Sequence, residues 1–154
     1  MSTRAIQYLN KKGIKFKVIK YKHDEKGAEF AARAIGFSLD GTIKTLVVDL
    51  GNEKYCFALL PGDKQLDLKR IARVCKDKKA AMTDTITAER LTGYLVGGIS
   101  PFGAKQKLPA VFEECLLKFD KVAINGGQRG VMLIMAPEGI VRLLDCDIGR
   151  IIQE

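Results

Sequence analysis

The sequence holds one histidine, His23, in 154 residues. That scarcity excludes more chemistry than any other feature. A structural zinc site takes four nitrogen or sulfur ligands. The four cysteines (Cys56, Cys75, Cys115 and Cys146) lie far apart with no C-x-x-C spacing, so neither a metal nor any other cofactor is expected. A catalytic Cys–His pair would have to use His23. Ordinary general-base schemes lose their commonest player for the same reason. No G-x-S-x-G elbow, P-loop or H-E-x-x-H occurs. Spanning a bilayer takes about 20 apolar residues, and no run reaches that length, so no membrane partner is expected. The stretch M-S-T-R-A-I-Q-Y-L-N is polar and reads as an amphipathic helix, not a signal peptide. Reduced thiols and a cytoplasmic location follow as expectations. Internal repeats, low-complexity tracts and linkers are missing too. Residues 1–154 are expected to form a single domain.

Acidic residues are outnumbered. The net charge is +8 and the pI is about 9.4. This balance favours an anionic partner such as nucleic acid. The cations are spread along the chain, so the fold must assemble any basic patch. Hydrophobic residues make up 47% of the chain, enough for a full core.

The hydrophobic periodicity alternates between short helices and short strands. Ser2 or Thr3 can cap a first helix that Gly13 stops. K-F-K-V-I-K-Y is β-type, residues 22–26 form a polar loop, and 28–35 an alanine-rich helix closed by Gly36. Residues 42–50 and 54–60 form a hairpin around G-N-E. Asp67 caps a helix, 79–82 may be read as a short strand, and Thr83 or Asp84 caps a helix to Leu91. Strands are expected at 109–112, 121–125 and 131–135. A helical turn is expected at 113–117, a helix at 138–144 and a last turn at 148–152. The fold class is α/β in the α+β sense: a mixed, mostly antiparallel sheet closing towards a barrel and surrounded by helices.

Two features stand out within this pattern. Leu91 to Ala104, L-T-G-Y-L-V-G-G-I-S-P-F-G-A, is fourteen residues without a charge in a chain that is 29% charged. Its glycines permit close approach of backbone to a ligand, and its peptide N–H groups can donate to an anion or a carbonyl. A plain buried turn would look the same. The second feature is Lys44, which interrupts the apolar strand I-K-T-L-V-V. Burying an ammonium is costly without a partner, so Lys44 either binds an anionic group or points to solvent. Thr45 offers a hydroxyl on the opposite face. Ser100 lies in the glycine stretch without an obvious base. Any catalysis here would work by positioning and by backbone donors.

The run T-G-Y-L-V-G-G-I-S-P-F-G, with I-K-T-L and Q-L-D-L-K upstream and N-G-G-Q-R-G downstream, resembles the YbaK/EbsC group of aminoacyl-tRNA deacylases. These are freestanding relatives of the editing domain of bacterial prolyl-tRNA synthetases. The resemblance covers nearly the whole chain. It implies an editing-domain fold and a translation enzyme, a hydrolase or lyase, that removes a wrong amino acid from tRNA in trans. For the most similar members the substrate is Cys-tRNA(Pro). It also implies Lys44, Gly97 and Gly98 as catalytic positions. Tyr21, Thr45, Ile99, Ser100 and Pro101 would bind the aminoacylated 3′ end, as would Asn125, Gly126 and Met132. In these relatives the substrate's own thiol or the ribose hydroxyl takes part in the reaction. Two positions depart from the pattern: cysteine-specific members carry R-G-L-D where this chain has R-G-V-M, so Met132 replaces an aspartate, and Asn125 stands where serine is frequent.

The implied partners are the tRNA acceptor end and, transiently, prolyl-tRNA synthetase. A monomer is expected, because no long apolar stripe is left over. Three alternatives stay open: an editor for another small amino acid, a tRNA- or synthetase-binding module without catalysis, and an amino-acid-sensing protein.

Overall fold

The computed structural model describes residues 2–25 and 27–154. Lys26 lies outside them, so the expected loop at 22–26 is described only as far as Glu25. Met1 lies outside them as well. Helix α1 (Arg4–Lys12) begins where the Thr3 hydroxyl accepts from Ile6 N–H at 3.1 Å and stops where Gly13 turns left-handed. Its buried face is Ala5, Ile6 and Leu9, the spacing of an amphipathic helix. Strand β1 (Lys17–Lys20) and helix α2 (Ala28–Ile35) follow, the latter closed by Gly36. The hairpin is β2 (Ile43–Gly51) and β3 (Lys54–Pro61). Helix α3 (Leu68–Val74) is capped by Asp67, strand β4 is Ala81–Met82, and α4 (Thr85–Thr92) is capped by Asp84. After the glycine stretch come β5 (Ala110–Glu113), a 3-10 turn (Glu114–Lys118), β6 (Val122–Asn125) and β7 (Val131–Met135). Helix α5 (Pro137–Leu144) and β8 (Asp147–Gly149) end the described elements.

The strands form two sheets, ordered β1-β7-β6 and β4-β2-β3-β5-β8. The architecture is the expected mixed α/β one, with two corrections. First, the sheets do not close into a barrel. They meet through one isolated bridge, Thr42 to Ala123. Beyond that bridge the outer edge of β2 passes to β4, which pairs at Val48 and Asp49. One strand edge shared between two partners leaves no room for a continuous ladder. Second, the expected last turn at 148–152 is partly a strand. Residues 147–149 pair in parallel with β5, because the free edge of β5 satisfies backbone groups that a lone turn would leave to water. The β3–β5 ladder is parallel as well.

Strand alternation sorts β2 and β3 into two cores. Ile43, Val47, Phe57 and Leu59 face the larger one, with Leu9, Phe112 and Ile140. Val48, Cys56, Ala58 and Leu60 face a second one, closed by Ile71 of α3 and by Ile151. Cys56 is fully buried there, the core role its strand pattern indicates.

Candidate active site

The gap along β2 is the origin of the site. Thr42 C=O accepts from Gly62 N–H in the hairpin ladder, and Val47 C=O accepts from Thr83 N–H on the other edge. Peptide directions alternate along a strand, so the Thr45 peptide faces outward, between the bridge to β6 and the start of β4. A cavity of about 350 Å³ opens at this gap. Its walls include Thr45 on β2, Tyr21 after β1, Ala31 on α2, Met132 on β7 and Val96 and Gly97 of the glycine stretch. The Thr45 hydroxyl is buried and has no hydrogen-bond partner among the described residues. An unmatched buried hydroxyl costs stability unless something pairs with it; here the cavity is where a partner would sit.

The glycine stretch is held as a wall by three anchors. Glu89 of α4 accepts from Val96 N–H at 2.8 Å. The Asn125 side chain donates to Gly97 C=O at 3.0 Å while its oxygen accepts from Gly127 N–H at 2.7 Å. Asn125 thereby fastens the two glycine turns to each other. Arg129 Nε donates to Val96 C=O at 3.3 Å. Contact between the turns is close enough to demand glycine. A Cβ on Gly97 would lie 2.4 Å from Arg129 Nε, and one on Gly98 would lie 2.9 Å from Gln128 Cα. Tyr94 donates from its hydroxyl to Phe102 C=O inside the loop, and burial pushes that phenol up to about 12.

The residues singled out from sequence divide into two groups. Tyr21, Lys44, Thr45, Gly97, Ile99, Asn125 and Met132 all border the cavity. Gly98, Ser100, Pro101 and Gly126 do not. Gly98 N–H already donates to Leu95 C=O at 2.9 Å, so it is not free to serve an oxyanion, whereas Gly97 N–H has no acceptor among the described residues. Ser100 is buried and its hydroxyl accepts from Phe102 N–H at 3.1 Å; it shapes the loop. Gly126 supports the second turn, where a Cβ would meet Val131 at 2.7 Å.

Lys44 stands apart. It projects from the face of β2 opposite Thr45, and its ammonium donates to Lys64 C=O. Burial holds it below the ordinary lysine value, partly offset by the nearby Asp63 carboxylate. The sequence reading missed Arg129, Glu25 and Asp84, which also border the cavity. Arg129 sat inside a motif already flagged, N-G-G-Q-R-G. Glu25 and Asp84 carried no signal beyond a polar loop and a helix cap. Among the described residues no group of histidine, cysteine, aspartate and glutamate could hold a metal ion.

A model of the aminoacyl-tRNA editing domain matches residues 23–143, most of the chain and all of the cavity apart from Tyr21. The chain belongs to the aminoacyl-tRNA editing domain family. Its activity class is that of an aminoacyl-tRNA editing enzyme. Two curated relatives differ in the amino acids their names give. EbsC of Enterococcus faecalis, whose name assigns it Cys-tRNA(Pro)/Cys-tRNA(Cys) deacylation, is 29% identical over 97% of this chain and 92% of its own. A multifunctional Ser/Thr-tRNA deacylase of Escherichia coli, ProXp-y, is 28% identical over 91% of this chain and 86% of its own. A solved structure described as a trans-editing enzyme for prolyl-tRNA synthetase superposes with a TM-score of 0.89 at 25% identity, covering 98% of this chain and 96% of that one. The editing domain has no helix, among the described residues, long and apolar enough to cross a membrane.

Proposed function

We propose that this editing domain is a freestanding deacylase that removes a small amino acid from mischarged tRNA, with Cys-tRNA(Pro) as its substrate. One observation carries the reading: a small cavity at the β2 gap, walled by two interlocked glycine turns and provided with an unengaged peptide N–H at Gly97 and an unpaired hydroxyl at Thr45. A terminal adenosine ester seated there would place its carbonyl against Gly97 N–H, a donor for the developing oxyanion. Thr45 would fix the ribose or the α-amino group. Lys44, once released from the Lys64 carbonyl, would hold the terminal phosphate or ribose as a compact charge. Met132 and Ala31 form an apolar floor, which suits a small side chain of low polarity. The cavity offers no histidine or cysteine as base or nucleophile. The substrate's own thiol or hydroxyl then takes that part, and the protein contributes geometry.

The second reading is an editor of serine or threonine esters. It is favoured by the buried Thr45 hydroxyl, which could pair with a substrate hydroxyl, and by the likeness to the Ser/Thr deacylase. The deciding assay charges the proline acceptor with cysteine, alanine, serine and proline and follows loss of each ester. Cysteinyl ester lost fastest supports the first reading; seryl ester lost fastest moves the assignment to the second. Folded Lys44→Ala and Gly97→Ala variants should lose about 10²-fold in kcat/KM, the scale of a misplaced substrate. Parent rates in both would remove these residues from the site.

A further inference from the structure

A second concave surface lies on the α3 side of the molecule, about 460 Å³ in volume. Ala72 and Ala80 lie on its floor, and Lys69, Arg73, Lys78 and Lys79 line it. Lys69 and Arg73 are four residues apart on α3 and so share one helix face. All four cations are exposed, and none makes an ion pair among the described residues. The groove's one carboxylate, Asp77, is already held by Lys54 at 2.9 Å. Arg70, on the same helix, is by contrast engaged by Asp67 and Glu154. Four unmatched cations around one hollow repel each other and attract a polyanion.

The groove and the cavity are neighbours along the chain. Lys79 is three residues before Met82, which borders the cavity, and three residues span at most about 11 Å. A substrate that enters the cavity by its 3′ end must carry its remaining phosphates away over an adjoining surface. The other lysine-rich segment near the cavity, at Lys15, Lys17 and Lys20, runs along the strand at the sheet's edge and is not part of either hollow.

We propose that the α3 groove binds the sugar–phosphate backbone of the tRNA acceptor strand and guides the 3′ end past Met82 into the cavity. The identity of the RNA rests on the deacylase reading; the groove's affinity for RNA is measured without it. Binding of uncharged proline tRNA is titrated at several salt concentrations. The proteins compared are the parent, a Lys69→Gln/Arg73→Gln/Lys78→Gln/Lys79→Gln variant and a Lys15→Gln/Lys17→Gln/Lys20→Gln control. The groove variant should bind at least about tenfold more weakly. Its slope of log affinity against log salt should be shallower by about three, since each phosphate contact contributes about 0.7–0.9. The control should change less than about threefold. An aminoacylated adenosine, which carries no phosphate to meet the groove, should be hydrolysed by the groove variant at the parent rate.

Parent affinity and slope in the groove variant would overturn the proposal, as would a larger loss in the control. Loss of synthetase binding with tRNA affinity unchanged would assign the groove to an acidic protein surface instead. If the groove variant loses tRNA binding as stated but the parent hydrolyses no ester, the groove assignment stands and the deacylase reading fails.

Discussion

Gly97 and Gly98 are adjacent, yet they are glycine for different reasons, and their substitutions should fail differently. Gly97 has φ +95 and faces the movable end of Arg129. Alanine there carries a left-handed strain of about 1–2 kcal/mol and displaces Arg129 from Val96. Gly98 has no such φ, but its missing Cβ is filled by the backbone at Gln128. Alanine at 98 must therefore push two turns apart, an overpacking cost of roughly 1–3 kcal/mol. Urea unfolding of Gly98→Ala should show this loss, and Asn125→Ala, which unfastens the same turns, should show a related one. A Gly98→Ala protein as stable as the parent would refute the close packing of the turns. The cysteines differ just as sharply. The hydrogen bond between Cys56 and Cys75 holds the Cys75 thiol below its ordinary value and, with burial, pushes Cys56 up. Burial pushes Cys115 and Cys146 up to about 12. The thiolate is the reactive form. As pH rises, Cys75 should therefore be alkylated ahead of the other three cysteines. Peptide mapping after brief iodoacetamide treatment checks the order, and Cys115 or Cys146 labelled first would contradict it. Residue type and spacing revealed where the glycines cluster. They did not reveal which glycine keeps its N–H free, because that depends on the Leu95 carbonyl within a folded turn. Nor could they show that the Lys44 ammonium reaches Lys64, a contact made across the end of the hairpin.

The elements were legible wherever a local signal set them. Thr3, Asp67 and Asp84 cap helices through their own side chains, and Gly13 and Gly36 end helices by left-handed turns. The hairpin register follows from its own turn. What local signals do not carry is the partner of each strand edge. Strand β8 exists because β5 had an edge to offer, and the cavity exists because β6 and β4 divide the edge of β2. A buried acid ties the C-terminal element into this arrangement. Glu113, at the end of β5, is 1% exposed. Its two oxygens accept from Cys115 N–H at 2.7 Å and Ile151 N–H at 2.8 Å. Sequence alone shows only a polar residue opening a helical turn. Glu113→Ala would orphan both N–H groups at about 1–3 kcal/mol each before relaxation. With each kcal/mol worth about 2–4 °C in a chain of this size, Tm should fall by at least about 4 °C and at most about 24 °C. Glu113→Gln keeps one acceptor and should fall by less. Calorimetry of the two variants settles the order; equal Tm values in parent and Glu113→Ala would mean that the C-terminal segment is not stapled there.

At the scale of the molecule, chemistry and affinity occupy different places. The cavity is about 350 Å³ and its walls mix glycine, alanine and aliphatic side chains with threonines and a few charged groups, whereas most of the net charge of +8 is spread over the outside. Contacts to phosphates fix orientation without reading sequence, and each one releases counterions when it forms. The positioning of an ester against Gly97 and Thr45 releases none. Salt should therefore act on the two stages separately. If the four groove cations and Arg129 each meet a phosphate, affinity for tRNA should fall roughly 500-fold between 50 and 200 mM monovalent salt, from a slope near 0.9 per contact. In steady-state deacylation this would appear as a steep rise in KM with kcat almost unchanged, because the ester is held by Gly97 N–H and the Thr45 hydroxyl, which carry no net charge for salt to screen. Measuring kcat and KM for one aminoacyl-tRNA over that salt range separates the stages. A kcat that falls in step with affinity would mean that the exposed cations also stabilise the reacting ester, and the division between an outer charged surface and an inner positioning site would have to be abandoned.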